Sequence, residues 1–320
     1  MRAYVFQRLL LFVPVLVGVS VIIFVIMRVL PGDVARTVLL GVSGEGVVTE
    51  EALRNVQQRL GLDKPLVLQY LDWIWGVVRL DFGTSFKTET PIAAEIAQRL
   101  PITFEMAILT ALVSTAIAVP VGTISAIHQD KWIDYALRGV TILGLAAPSF
   151  WIGVLTIIGL VRLFNWIPPI GFVTLWEDPG KNIQQMIWPA VGLGYHYAAV
   201  VARMTRSSML EVLRQDYIRT AWAKGLRERV VVYRHALKNS LLPVITIIGI
   251  QFALLLGGTV IMETIFSVPG MGRTFVDAIA FRDYPMVQAS VVVFAVLILL
   301  ANLGVDLLYA WLDPRVGYGA

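Results

Sequence analysis

Long apolar runs alternate with shorter polar segments along the whole 320-residue chain. A helix of about 20 apolar residues is long enough to cross a bilayer. Six runs of this kind can be recognised, at residues 9–27, 102–127, 137–163, 186–204, 241–262 and 286–311. The pattern therefore predicts an all-α polytopic membrane protein with six transmembrane helices.

The first apolar run has two possible interpretations, a cleaved signal peptide or a transmembrane helix. It follows Arg2 and Arg8 and is longer than the usual apolar core of a signal peptide. The sequence "RVLPGD" follows it where a small-residue cleavage site would be expected. We therefore expect an uncleaved span. Pro120, Pro148 and Pro243 fall within or at the ends of later spans, where neighbouring groups can satisfy the freed carbonyls.

Composition supports a membrane protein and excludes several other classes. The mean hydropathy is +0.74, and charged residues make up 15% of the chain, against about a quarter in soluble domains. The chain has no cysteine, which excludes disulfides and thiol chemistry. The pI near 9.4 does not indicate nucleic-acid binding, because the basic residues lie in loops between apolar runs.

The distribution of positive charge predicts the orientation. Nine of the 26 Lys and Arg residues lie between Arg203 and Lys238, together with three acidic residues. The loop after the third span has one Lys beside Glu177 and Asp178. Cytoplasmic loops carry an excess of Lys and Arg, so the basic loop and both termini are predicted to be cytoplasmic.

Residues 31–100, between the first and second spans, are predicted to form an extended extracytoplasmic segment. One or two amphipathic helices are expected here, with Leu53, Val56 and Leu60 on one stripe and a break at residues 61–65. The aromatic-rich stretch "DWIWGVVRLDFGTSF" is typical of a membrane interface. Two interpretations stay open: an external lobe that meets a partner or substrate, and a cap over the outer helix ends.

The basic loop, residues 205–240, is predicted to contain two helical parts separated at Gly225. Leu213, Tyr217 and Ala221 recur at a spacing of four residues and define one apolar face, which Ile218 and Trp222 widen. Helical character resumes after the glycine and leads to Pro243. Such a basic amphipathic helix either lies on anionic lipid or docks in a groove on a cytoplasmic partner.

Ionisable side chains inside spans are candidates for functional sites. Glu105 and Glu263 fall near the outer helix ends and Asp306 near the inner end, where structural roles are favoured. His196 falls near the middle of the fourth span, where it either lines a pathway or bonds a neighbouring helix. A lone histidine is poor evidence for a metal path, which needs more nitrogen or sulfur ligands.

Several motifs, taken together, carry a family resemblance. "RTAWAKGL" followed by "RHALKNSLLPVIT" resembles the cytoplasmic coupling loop of ABC-importer permeases of the dipeptide, oligopeptide and nickel branch. Arg219 stands where the general motif has glutamate, and the distance from Gly225 to Pro243 is about five residues longer. "METIFSVPGMG", "ARMTRSSMLEVLRQDYIRTA", "ANLGVDLLYAWLDPR" and the opening "QRLLLFVPVLVGVSVIIFVIMRVLPGD" resemble further parts of the same branch, so the likeness covers nearly the whole chain.

The resemblance implies a type I ABC importer permease fold and a transport subunit rather than an enzyme. It implies pairing with a homologous second permease, two ATP-binding subunits and an extracytoplasmic solute-binding protein in a bacterial or archaeal cytoplasmic membrane. The chain has no G-x-x-x-x-G-K-[ST] phosphate loop, so ATP and magnesium are expected on the partner ATPases, with no cofactor or metal on this chain.

The resemblance also implies where the functional residues lie. The coupling residues are expected to be Asp216, Tyr217, Arg219, Thr220, Ala221, Trp222, Lys224 and Gly225. Residues 221–225 are expected to form the contact, with Arg219 and Lys224 at its rim. His196 and Glu263 are the pathway candidates. The expected division is residues 1–30 as the first span, 31–100 as the outer segment and 101–320 as the permease core.

The expected cargo is a di- or oligopeptide, with nickel, glutathione or another small solute as alternatives within the same importer role. An ion-gradient transporter would need inverted repeats and charges at mid-membrane. A membrane enzyme would need clustered His, Asp or Ser side chains inside spans. The sequence shows no convincing repeat, few mid-membrane charges and no such cluster.

Overall fold

The computed structural model describes residues 2–29, 35, 39, 49–59, 61–169 and 171–312, and these are almost entirely helical, as predicted. A π-helix lies at Val230–Leu237. The α-helices are α1 (Arg2–Val29), α2 (Glu50–Arg59), α3 (Leu66–Val78), α4 (Ile92–Ile127), α5 (Trp132–Ala146), α6 (Ser149–Phe164), α7 (Pro179–Leu213), α8 (Asp216–Ala223), α9 (Lys238–Gly258), α10 (Val260–Ile265), α11 (Met271–Ala280) and α12 (Tyr284–Leu312).

Four helical segments of the described chain are long and apolar enough to cross a membrane. They coincide with the first, second, fifth and sixth predicted spans. The segments are Phe6–Val29, Ile92–Ile127, Val230–Gly258 and Tyr284–Leu308. A fifth candidate is the pair formed by α5 and α6, which covers the third predicted span.

The third predicted span is not one continuous helix, and this corrects the sequence prediction. The axes of α5 and α6 are bent by 109°. The bend lies at Ala147, whose φ of −76° and ψ of 128° are extended, directly before Pro148. A residue that precedes proline is pushed out of the α region by the proline ring, so the helix stops there.

The fourth predicted span lies inside α7, a helix of 35 residues that is long enough to cross but more polar than the other four. Most of one side of α7 is buried against α5, α6 and α9. A helix that faces protein rather than lipid does not need an apolar surface all round. At Gly122 on α4, an added Cβ would lie 2.5 Å from the Ala202 carbonyl oxygen of α7, so the glycine permits close packing of the two backbones.

The start of α7 is fixed by its own sequence. Asp178 is the N-cap, and its Oδ1 accepts a hydrogen bond of 3.1 Å from the Lys181 backbone N–H. That bond holds the pKa of Asp178 below its usual range. Pro179 occupies the first helical position, where its missing N–H costs nothing.

The chain divides into two compact units. The first comprises Met1–Ile102 and Pro269–Leu299, and the second comprises Thr103–Val268 and Leu300–Ala320. The core of the first unit contains residues of α1, α4, α11 and α12, including the fully buried Ile92 and Met271.

Two helices of the predicted outer segment are confirmed as α2 and α3. The predicted break between them lies at Gly61, which has a φ of +64°. Leu53 is partly buried. The side chain of Val56 and all of Leu60 lie outside the described residues, so the predicted stripe stays a prediction.

Candidate functional site

The predicted coupling residues lie on α8, a short helix that follows a break in the chain. The helix α7 ends at Leu213, and Gln215 is extended before α8 begins at Asp216. The predicted continuous stripe from Leu213 through Tyr217 to Ala221 is therefore wrong, because Leu213 belongs to the preceding helix. Asp216 lies in the first turn of α8, where its negative charge favours the helix N-terminus.

The inward face of α8 consists of Ile218 and Ala221. Ile218 is fully buried, and Ala221 is 7% exposed. Both pack into a cluster with residues of α4, α7 and the π-helix, which are Ala126, Met209, Val231, Val232 and Ala236. Ala221 is thus part of this chain's own core rather than of its free surface. Burying a side chain the size of Ile218 contributes about 1.5 to 3 kcal/mol.

The outward face of α8 carries the remaining predicted coupling residues. Tyr217 and Trp222 are each 44% exposed although both are large and partly apolar. The Tyr217 hydroxyl accepts a hydrogen bond of 2.8 Å from Asn239 Nδ2, which fixes the ring beside the start of α9. Arg219 pairs with Asp216 at 3.3 Å, and Thr220 Oγ1 donates to the Asp216 carbonyl. Two partly exposed aromatic side chains therefore flank the buried Ile218 and Ala221, with basic residues nearby.

Gly225 ends α8 in a Schellman motif. Its φ is +74°, in the left-handed region that favours glycine. The Gly225 N–H donates to the Trp222 carbonyl at 2.9 Å, and the Leu226 N–H donates to the Ala221 carbonyl at 3.4 Å. A Cβ added at Gly225 would meet no atom within 4 Å. The glycine is required here by backbone conformation and not by packing within the chain.

The π-helix is the first part of the apolar segment Val230–Gly258, which continues as α9. π-Helical turns are rare and often occur at functional sites. Val231, Val232 and Ala236 face inward. Ser208 Oγ of α7 donates to the Ser240 carbonyl of α9 at 2.9 Å, which holds the two helices together on either side of the loop.

A buried ion pair that the sequence pattern does not predict holds together three helices of the second unit. Asp134 of α5 is fully buried, and its carboxylate accepts bonds from Arg206 Nε at 2.8 Å and Arg206 Nη2 at 2.6 Å. Ser125 Oγ of α4 also donates to this carboxylate. Arg206 is one of the nine basic residues of the 203–238 stretch, and its separation of 72 residues from Asp134 gives no local signal.

The two pathway candidates are both engaged with neighbouring helices. His196 of α7 lies 2.9 Å through Nδ1 from the Gly144 carbonyl of α5, and its ring contacts Tyr197 edge to face. Glu263 is fully buried, and its Oε1 accepts from Thr103 Oγ1 at 2.8 Å and Thr259 Oγ1 at 2.9 Å. These contacts give each side chain a role in helix packing. A pathway role stays a prediction.

Glu105 is also bound to a neighbouring helix. Its Oε2 accepts a long hydrogen bond of 3.4 Å from Asn182 Nδ2 of α7.

Within the described residues, no three His, Cys, Asp or Glu side chains lie close enough to hold a metal ion. Asp306 lies in α12.

Comparison with known protein families identifies the chain in two parts. Residues 118–318 match the family described as binding-protein-dependent transport system inner membrane component. Residues 1–107 match the family of the N-terminal part of the same membrane components. Together the two matches cover most of the chain.

Several relatives align with this chain over nearly their whole length. The dipeptide transport system permease protein DppB of Alkalihalophilus pseudofirmus is 40% identical over 99% of this chain and 100% of its own. A putative peptide transport system permease protein of Brucella suis is 38% identical over 99% of this chain and 100% of its own. DppB of Escherichia coli K12 is 38% identical over 99% of both chains.

Solved structures show the same fold at low identity. The MetNI methionine ABC transporter, in an inward-facing form, aligns with a TM-score of 0.56 and 16% identity over 68% of this chain and 96% of that chain. An amino acid ABC transporter aligns with a TM-score of 0.54 and 13% identity over 68% and 94%. The predicted ABC importer permease fold is confirmed. The chain is a multi-pass inner-membrane protein that belongs to the family of binding-protein-dependent transport system inner membrane components, the permease subunits of ABC importers.

Proposed function

We propose that this chain forms half of a translocation pathway for di- or oligopeptides, in an importer driven by ATP. A solute-binding protein delivers the peptide, a homologous permease supplies the other half, and two ATP-binding subunits work from the cytoplasmic side. The observation that carries this proposal is the similarity to peptide permeases along the whole length of the chain and of each relative. The proposal places both termini and the basic loop in the cytoplasm.

The docking surface on the ATP-binding subunit is, in this proposal, the outward face of α8. Tyr217 and Trp222 are exposed aromatic side chains on a helix that is anchored by the buried Ile218, which lies between them around the helix. Aromatic residues and arginine dominate the energetics of protein interfaces. Arg219 and Lys224 lie beside the aromatic pair and supply charge at the rim. Ala221 supports this surface from inside the chain and does not form it.

In this proposal, movement of α8 causes movement of the spans. When the ATP-binding subunits close, the docked helix moves with them. Its inward face shares one apolar cluster with α7 through Met209 and with the π-helix through Val231, so the displacement reaches both. The pair Arg206–Asp134 passes it from α7 to α5. A helix that passes movement on in this way must be rigidly anchored to the spans.

The test of the docking surface compares two exposed tryptophans. The whole importer, with both permeases, the ATP-binding subunits and the binding protein, is reconstituted in proteoliposomes, and uptake of a labelled dipeptide is measured with ATP hydrolysis. Trp222→Ala is expected to reduce uptake roughly tenfold or more, because truncating an interface anchor costs about 2 kcal/mol or more. Trp176→Ala is the matched control, since Trp176 is 87% exposed on a different loop and is expected to leave uptake unchanged.

Three outcomes would contradict the proposal, each in a different part. Equal uptake by the two tryptophan variants would remove α8 as the docking surface while leaving the peptide substrate in place. A partner binding protein that binds a metal chelate but no peptide in calorimetry would overturn the substrate. Copurification of the tagged chain without any ATP-binding subunit would overturn the importer assembly as a whole.

A further inference from the structure

The short helix α3 is apolar on both of its faces. Gln69 and Asp72 are its only residues with an amide or charged side chain. Gln69 is turned inward, where its Nε2 donates to the Leu62 carbonyl at 3.1 Å and to the Lys64 carbonyl at 2.8 Å. The amide therefore closes the turn that precedes α3 and gives the helix no polar surface.

The inner face of α3 packs against α1, and the contacts fix the position of α3 along the axis of α1. The Tyr70 hydroxyl lies 2.8 Å from Ser20 Oγ, and the Phe24 ring lies 5.4 Å from the Tyr70 ring and 6.0 Å from the Trp73 ring. Phe24 precedes Val29, the end of α1, by five residues, and Ser20 precedes it by nine. At 1.5 Å per residue these contacts lie about 7 and about 13 Å below the end of α1. Because α1 is a membrane-crossing helix, α3 lies at a depth that corresponds to one leaflet.

The opposite face of α3 is exposed and apolar, and the exposed Asp72 lies beside it, paired with Lys64 at 2.6 Å. Its side chains recur at helical spacing, and each is at least half exposed: Val67 68%, Leu71 51%, Trp75 57% and Val78 68%. A helix that lies in water on the surface of a lobe carries charged residues on its outer face. The helix α3 therefore has the surface of a helix in an apolar solvent.

Two neighbouring features indicate that the apolar environment of this face is lipid. At the height of Phe24, α1 itself exposes Val21 and Val25, so the bare face of α3 has the same character as the lipid-facing side of a membrane span. The guanidinium of Arg79, directly after α3, lies 4.6 Å from the centre of the Trp75 ring. Tryptophan and a basic residue at the end of an apolar helix are typical anchors at a membrane–water interface.

We propose that α3 is embedded in the interfacial layer of the bilayer at the Val29 end of α1, with Val67, Leu71, Trp75 and Val78 in contact with acyl chains. Helices of this kind bury their apolar face about 5 to 10 Å into the boundary between headgroups and acyl chains, which agrees with the depth given by Phe24. The outer segment is then partly a membrane element rather than wholly an aqueous lobe. This proposal rests on α1 crossing the membrane and not on the transported substrate.

The absence of cysteine in the chain makes the test simple. Leu71→Cys is compared with Asp72→Cys, which changes the adjacent exposed residue, in the complete transporter in native membranes. A membrane-impermeant maleimide that adds mass is applied, and the gel shift of this chain alone is followed. Burial of a leucine-sized group is worth about 1.5 to 3 kcal/mol, so the thiol at 71 is expected to react at least about tenfold more slowly than the thiol at 72.

A second measurement separates lipid from a covering protein. The complex with Leu71→Cys is labelled with bimane and placed in nanodiscs made with brominated or unbrominated phosphatidylcholine, with the unsubstituted complex subtracted. Quenching by the brominated acyl chains is the expected result. A slow reaction at position 71 without quenching would show that a protein surface, such as the second permease, covers α3 and would overturn the proposal. Equal maleimide rates at positions 71 and 72 would place the face in water and would overturn it as well.

Discussion

The left-handed conformation of Gly225 makes a sharp prediction about the end of α8. The positive φ costs an ordinary residue about 1 to 2 kcal/mol, whereas asparagine adopts this region more easily. No atom lies within 4 Å of an added Cβ, so no steric clash within the chain adds to that cost. Gly225→Val is therefore expected to loosen the last turn of α8, which carries Trp222 and Lys224, and Gly225→Asn is expected to preserve it.

The size of the effect follows from the strain alone. A penalty of about 1 to 2 kcal/mol lowers the population of the intact cap roughly 5- to 30-fold relative to its opened form. If the outward face of α8 transmits the movement that ATP hydrolysis produces, the number of dipeptides imported per ATP should fall in Gly225→Val and stay near normal in Gly225→Asn. Both variants should insert and purify like the unsubstituted chain, because the strain is confined to a surface turn.

The measurement is the ratio of labelled dipeptide uptake to phosphate release in proteoliposomes containing the complete importer. An equal loss in the asparagine and valine variants would refute the conformational explanation, since it would mean that a partner surface requires the absence of any side chain at position 225. Normal coupling in both variants would show that the cap is not needed for transmission at all.

Three further substitutions test the supports of the site. Ile218→Ala should destabilise the seating of α8 by about 2 to 5 kcal/mol and speed hydrogen exchange in residues 216–224, whereas Ile218→Val should cost about 0.5 to 1.5 kcal/mol. Asp134→Asn should lower the thermal stability of the purified complex by about 3 to 5 kcal/mol, because it leaves Arg206 with an uncompensated charge; a melting temperature like that of the unsubstituted complex would contradict the buried pair. Glu263→Leu should lower the stability of the complex by about 1 to 3 kcal/mol, since it removes the acceptor used by Thr103. Glu263→Gln, which keeps an acceptor oxygen, should lower it less in the same thermal unfolding measurement.

The positions of the helices could be predicted from the sequence because bilayer thickness fixes the length of an apolar run. The breaks at two glycines could also be predicted. Gly61 and Gly225, where helices were expected to end, both have a positive φ. The bend at Pro148 could not be predicted in the same way. Pro14 and Pro189 lie inside continuous helices, so a proline alone does not say whether its neighbours will support a straight helix.

The inward direction of Ala221 shows a second limit of periodicity. The helix α8 has only eight residues, and at a spacing of four Ile218 and Trp222 lie on the same side of it, yet Ile218 is fully buried and Trp222 is 44% exposed. A hydrophobic stripe indicates which residues share a face but not which of them the rest of the chain covers. That choice depends on the π-helix and α7, whose apolar side chains Val231 and Met209 pack against Ile218.

If α8 has the proposed coupling role, its arrangement allows one small element to serve both folding and transmission. Its stability comes from Ile218, whose burial is worth about 1.5 to 3 kcal/mol, comparable with the energy expected of an interface anchor such as Trp222. A helix anchored much more weakly than it docks would be pulled away from the spans when the ATP-binding subunit moves. One anchored at least as strongly moves with them. The full burial of Ile218 beside the partly exposed Trp222, on the same side of the same two turns, is therefore the physical basis for proposing the coupling role for α8.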